Sequence, residues 1–207
     1  MSNPSQQKNA ILLVMFGTSV EEGLSGLLQI RERFILRFPR SVVRVVFTSR
    51  IIRKIWQDRS ADPYYRETHP AVPEEILCIT KPAEAILELR DSGTDALVIQ
   101  PVHIAPTVKE IPIEKYTGEM PVKAAAKSQR IAVGRPALGL LENSNYPFQD
   151  DIKAVAGSLL QDIERVRQEK SALFYLGHGN TEPETERIYQ DLLMEIRYQY
   201  PDVRMYM

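Results

Sequence analysis

The chain has 207 residues, enough for one large or two small domains with a substantial core. Its 26 basic and 27 acidic residues leave no excess charge to attract nucleic acid or an anionic membrane. One cysteine, Cys78, excludes an intrachain disulfide framework and a multi-cysteine zinc site. No apolar run approaches the ~20 residues of a membrane span, and the polar start MSNPSQQKNA has no secretory core. The expectation is a cytoplasmic protein.

Ala10–Phe16 is almost continuously apolar, as in a parallel strand covered on both faces. Gly17-Thr18-Ser19 turns the chain, and Ser19 with Glu22 reads as a capping box. Leu24, Leu27, Leu28, Phe34, Ile35 and Phe38 follow helical spacing until Pro39. Val42–Thr48 is a second strand, leading through Ser49 into a short amphipathic helix, Arg50–Trp56. Asp58–Glu75 is polar and punctuated by proline, and reads as a long loop.

Pro82–Leu89 is read as a helix with Ala83, Ile86 and Leu87 inward, closing at Gly93. Asp95–Gln100 is a third strand, and His103 follows just past its end. Three prolines argue against a long helix before about Val122. Arg130–Gly134 is a fourth strand. Pro147 opens one helix striped by Ile152, Val155, Ala156, Leu159, Leu160, Ile163 and Val166. The next strand, Leu173–Leu176, runs into Gly177-His178-Gly179, and Thr181 with Glu184 forms a second capping box around Pro183. A helix over Glu184–Tyr200 and a sixth strand over Val203–Met207 complete the pattern. The fold class is α/β, with two similar parallel-sheet units. Residues 1–146 form the first domain, and 147–207 hold a linking helix and the start of a second.

The strand, glycine turn and helix start around His178 place it on the rim where open α/β sheets bind ligands. His103 is placed on the same rim. Two imidazoles there could hold a divalent metal or exchange protons near neutral pH; alternatively His103 only hydrogen-bonds backbone and His178 is an idle loop residue. Gly17-Thr18-Ser19 is either an anion site or plain helix capping. Arg50, Arg53 and Lys54 either hold carboxylates or form a solvated face, and His69 reads as a surface residue. No P-loop, GxGxxG, GxSxG or HExxH occurs, so no nucleotide cofactor is expected.

Four segments in register resemble the anaerobic cobalt chelatases of the sirohydrochlorin cobaltochelatase family: Phe16-Gly17-Thr18-Ser19, Phe47-Thr48-Ser49 with Ile51-Ile52-Arg53-Lys54, Gln100-Pro101-Val102-His103-Ile104, and Leu176-Gly177-His178-Gly179. The resemblance implies paired α/β domains with a tetrapyrrole cleft between them. It also implies ATP-independent insertion of Co²⁺ (with Fe²⁺ or Ni²⁺ also compatible) into sirohydrochlorin or precorrin-2, in cobalamin or sirohaem-type biosynthesis. His178 would take pyrrole protons, ligate the metal, or both. Gly17, Thr18, Ser19, His103 and Arg53 would contact the carboxylate-rich substrate. The family's glutamate six positions past the strand-three histidine falls here on Lys109, with Glu110 one later as the candidate second metal ligand. The family also continues past its sixth strand, so the second domain is expected to be incomplete, with self-association left open. A non-catalytic tetrapyrrole- or metal-binding protein and a generic α/β protein remain the alternatives. No nucleic acid or membrane partner is expected.

Overall fold

Asn9–Met15 forms strand β1, whose every residue after the first is buried. A strand this apolar needs cover on both faces, and the elements that follow supply it. They are α1 (Glu21–Arg37), β2 (Ser41–Phe47), α2 (Arg50–Ala61), α3 (Pro63–Thr68), α4 (Glu74–Leu77), α5 (Pro82–Asp91), β3 (Ala96–Pro101) and β4 (Arg130–Val133). The structure, a computed structural model, describes residues 8–104, 130–138, 148–169, 172–174 and 183–206. These fall into two compact units: residues 8–102 with 130–134, and residues 103–104 with 135–206.

In the first unit the four strands are parallel in the order β2-β1-β3-β4. Register is set by pairs such as Met15 with Phe47, Val14 with Pro101, and Ile99 with Val133. Alternation along β1 sends Ile11, Leu13 and Met15 to one face, where they meet Leu24, Trp56 and Ile76 of α1, α2 and α4. Ala10, Leu12 and Val14 go to the other, against Ile86 and Leu89 of α5. Each fully buried side chain of this kind contributes roughly 1.5–3 kcal/mol. Strand β2 is an edge strand. Its Val45 N–H donates to Glu75 Oε1 at 2.9 Å, and Arg31 Nε holds the other carboxylate oxygen at 2.7 Å. A carboxylate from α4 thus covers part of an edge that would otherwise be open to pairing.

The second unit contains α6 (Phe148–Ser158), α7 (Leu160–Glu169), β5 (Leu173–Phe174), α8 (Pro183–Gln199) and β6 (Met205–Tyr206). Strands β5 and β6 pair in parallel on either side of α8. Ile152, Ala156, Ile163, Val166, Ile188, Leu192 and Ile196 pack the three helices together. Arg167 grips Asp202 with two hydrogen bonds of 2.8 Å, tying α7 to the turn after α8.

The α/β reading with a parallel sheet holds, and several local expectations are corrected. Helix α2 runs on to Ala61, and the supposed loop 58–75 contains α3 and the start of α4. Asp62 accepts from Tyr64 N–H and Pro63 occupies the first turn, so this proline starts a helix. The single helix after Pro147 is two, divided at Leu159. Ser158 Oγ donates back to the Val155 carbonyl, competing with the helical ladder. Beyond the break, Leu160 is 47% exposed instead of joining the stripe. In α5 the inward positions are Pro82, Ala83, Ala85, Ile86 and Leu89, with Leu87 only half-buried. Strand β1 stops at Met15, leaving Phe16 57% exposed. No helix among the described residues is long and apolar enough to cross a membrane.

Candidate functional site

The chain passes from β1 to β2 on one side and later to β3 on the other. The strand order therefore reverses at β1, and ligands of open α/β sheets bind outside the carboxyl ends of strands at such a point. The ends are laced together. Thr48 N–H donates to the Met15 carbonyl (2.8 Å), Ser49 N–H to Phe16 (3.3 Å) and Val102 N–H to Val14 (2.8 Å).

Gly17 follows β1 with φ +98°, and a Cβ there would lie 2.6 Å from the Phe47 ring, so both backbone and space require glycine. Thr18 Oγ1 accepts from Val20 N–H at 3.1 Å. That bond overturns the capping box expected at Ser19: α1 begins at Glu21, its N-cap position is Val20, and no side chain caps it. The turn is fastened from α2 instead. Trp56 Nε1–H donates to the Thr18 carbonyl at 2.7 Å, and Arg59 donates to the Ser19 carbonyl at 2.7 Å. The guanidinium lies 4.6 Å from the Trp56 ring centre and 5.3 Å from that of Tyr65, within cation–π range.

Tyr65 O–H donates to Glu21 Oε1 at 2.6 Å. Burial, reinforced by that bond, pushes the phenol pKa up to about 12. His69 stacks on Tyr65 with ring centres 4.1 Å apart, contacts the Thr68 hydroxyl and the Tyr65 carbonyl through Nδ1, and sets Nε2 3.6 Å from Glu21. It is a half-buried surface residue, its side chain 38% exposed, which α3 carries onto α1.

Arg53 sits in α2, where Ser49 caps the helix by accepting from Ile52 N–H at 3.4 Å. Arg53 Nη1 donates to the carbonyls of Phe47 (2.6 Å) and Thr48 (2.8 Å). Burial draws its pKa down from the usual arginine value. One arm of this cation therefore holds the end of β2, and only its remaining N–H groups can reach outward. Gln100 Nε2 donates to the Pro101 carbonyl at 2.9 Å. A Cβ at Gly134 would meet Gln100 Oε1 at 2.2 Å, so glycine at the end of β4 makes room for that side chain.

His103 follows Val102 and is half-buried; its carbonyl accepts from Ala137 N–H (3.0 Å), and that of Ile104 from Leu138 N–H (2.7 Å). His178 and Glu110 lie outside the described residues. Among the described residues no group of three His, Cys, Asp or Glu side chains is placed to hold a metal ion. The structure thus brings Gly17, Thr18, Ser19 and Arg53 to the carboxyl ends of β1 and β2. Sequence reasoning missed Trp56, Arg59, Tyr65 and Glu21. The available signal was that the chain's single tryptophan and Arg59 share a helical face with Ile52 at i, i+4 and i+7.

Residues 9–207 match the family described as Cobalt chelatase (CbiK). Among solved structures, the fold resembles a crystal structure of the sirohydrochlorin chelatase SirB from Bacillus subtilis subspecies spizizenii in complex with cobalt. The TM-score is 0.54 at 14% identity, over 96% of this chain and 67% of that one.

Proposed function

The chain belongs to the cobalt chelatase (CbiK) family, and from that premise we propose that it inserts Co²⁺ into sirohydrochlorin or precorrin-2 without ATP. The observation that carries this reading is the family match, which runs from residue 9 to residue 207 and so spans all four motif segments, the His178 turn included. The pigment and the metal are both substrates. Two pyrrole N–H protons leave as the cation enters, giving the metallated pigment and two protons, while the cation gives up its water.

In this proposal His178 takes those protons, ligates the incoming metal, or does both; a neutral imidazole suits either task near pH 7. Glu110 is the proposed second ligand. The substrate's carboxylates meet the Gly17–Ser19 turn and the free N–H donors of Arg53, with His103 as a further contact. Fe²⁺ and Ni²⁺ suit imidazole and carboxylate ligands as well as Co²⁺ does, so metal choice rests on geometry and supply.

The test is an anaerobic absorbance assay with sirohydrochlorin and Co²⁺, comparing the chain with His178→Ala. The expected loss is ~10²-fold or more, the scale of a positioned acid–base group. Equal rates in the two proteins would overturn the role given to His178. A shifted pigment spectrum without conversion would assign the chain a binding role in place of a catalytic one.

A further inference from the structure

The turn assigned above to the substrate is held by two side chains that have no part in that assignment. Trp56 is fully buried and its indole N–H meets the Thr18 carbonyl at 2.7 Å. Arg59 meets the next carbonyl, Ser19, at 2.7 Å, and its guanidinium is itself sandwiched against Trp56 and Tyr65. In a trans peptide the C=O and the following N–H point opposite ways. Drawing the Thr18 carbonyl toward Trp56 therefore turns Ser19 N–H away from it. The Ser19 carbonyl is likewise drawn to Arg59, while Val20 N–H is taken by Thr18 Oγ1.

Two consequences follow for an anionic substrate. Carbonyl oxygens that would repel a carboxylate are turned inward and neutralised by donors, one of them a cation. The Ser19 N–H, which has no partner among the described residues, is left on the opposite side. We propose that Trp56 and Arg59 are positioning residues for the tetrapyrrole: they fix the Gly17–Ser19 turn with its carbonyls inward, so that its N–H side receives a substrate carboxylate. This rests on the chelatase reading above and adds to it the residues that set affinity for the pigment's acid groups.

The test compares wild type, Trp56→Phe and Arg59→Met on sirohydrochlorin and on its methyl-esterified form, with melting temperatures recorded for each protein. Trp56→Phe keeps the ring and removes the donor; Arg59→Met keeps the stem and removes donor and charge. Each variant is expected to raise KM for the acid pigment about five- to tenfold, the scale of one ordinary hydrogen bond, with kcat within about twofold. On the ester, which has no carboxylates to receive, variants and wild type should differ little. A loss of equal size on acid and ester, a loss confined to kcat, or no loss would overturn the proposal. If the wild-type chain neither binds nor metallates the acid pigment, the chelatase reading itself fails and this inference falls with it. That result is distinct from a wild type that works and variants that match it.

Discussion

The turns that leave β1 and β2 are neighbours, joined by the hydrogen bond from Ser49 N–H to the Phe16 carbonyl, yet they are held by different means. The turn after β2 holds itself. Ser49 caps its own helix, and Arg53, one turn on, reaches back to the carbonyls of Phe47 and Thr48. The turn after β1 has only the Thr18 hydroxyl on the Val20 N–H as a local bond: α1 starts without a side-chain cap, and the carbonyls of Thr18 and Ser19 are taken by Trp56 and Arg59, 38 and 40 residues away. A self-capped turn keeps its shape as long as its helix exists. A turn held from another helix depends on how well that helix is packed, so its geometry is tied to the core of the first unit.

The largest effect that would break this contrast comes from Trp56→Ala. Removing a fully buried indole should cost about 3–5 kcal/mol in urea unfolding, because it opens a cavity in the core that packs β1 and β2 and releases the Thr18 carbonyl as well. A loss below about 1 kcal/mol would mean that the turn does not depend on this side chain. Glu75→Ala comes next, at about 1–3 kcal/mol. It leaves the Val45 N–H on the edge of β2 without its acceptor and Arg31 with Glu32 alone, but touches neither turn. It should therefore lower the unfolding midpoint while KM for the pigment is unchanged, which separates general instability from a displaced turn.

A serine pair sharpens the comparison further. Ser49→Ala should cost about 1 kcal/mol as the loss of an N-cap, whereas Ser19→Ala should stay under about 0.5 kcal/mol, since its hydroxyl caps nothing. Equal costs measured by chemical denaturation would contradict the capping geometry. The smallest effect is spectroscopic. The Tyr65 phenol, half-buried and bonded to Glu21, should ionise near pH 12 instead of the ordinary 10 when followed by tyrosinate absorbance. Because the folded-state value is the higher one, the stability it contributes is fully present below about pH 10 and is lost as pH rises through about 12. Glu21→Gln should bring the transition back toward 10, and an unchanged titration would show that the bond to Glu21 does not set it.

Much of the first unit was readable in the sequence because β1 announces itself. A parallel strand buried on both faces is a continuous apolar run, and Pro82 and Gly93 mark the two ends of α5 by their backbone chemistry. The glycine after β1 was legible for a similar reason, since the strand has to turn there. What failed was punctuation whose meaning depends on context. Pro63 and Pro73 look like breakers, yet one occupies the first turn of α3 behind Asp62 and the other is the N-cap of α4. Ser19 with Glu22 satisfies the spacing of a capping box, but Thr18 captures the Val20 N–H and delays the helix. The stripe after Pro147 is continuous in sequence, and only the Ser158 back-bond shows where it divides.

The site divides in the same way. His103 and the glycine turn after β1 could be placed past strand ends by local pattern alone, whereas Trp56 and Arg59 act across nearly forty residues of chain and carry no signature beyond a shared helical face. Arg53 shows the converse. Its position was legible, but its commitment to two β2 carbonyls was not.

The measurement that tests the central claim most directly is the anaerobic time course of sirohydrochlorin absorbance with Co²⁺ in excess and the chain at a small fraction of the pigment concentration. The account predicts conversion of many equivalents of pigment per chain, at an initial rate that saturates with pigment and exceeds the protein-free rate. A rate equal to the protein-free control at every pigment concentration would contradict it.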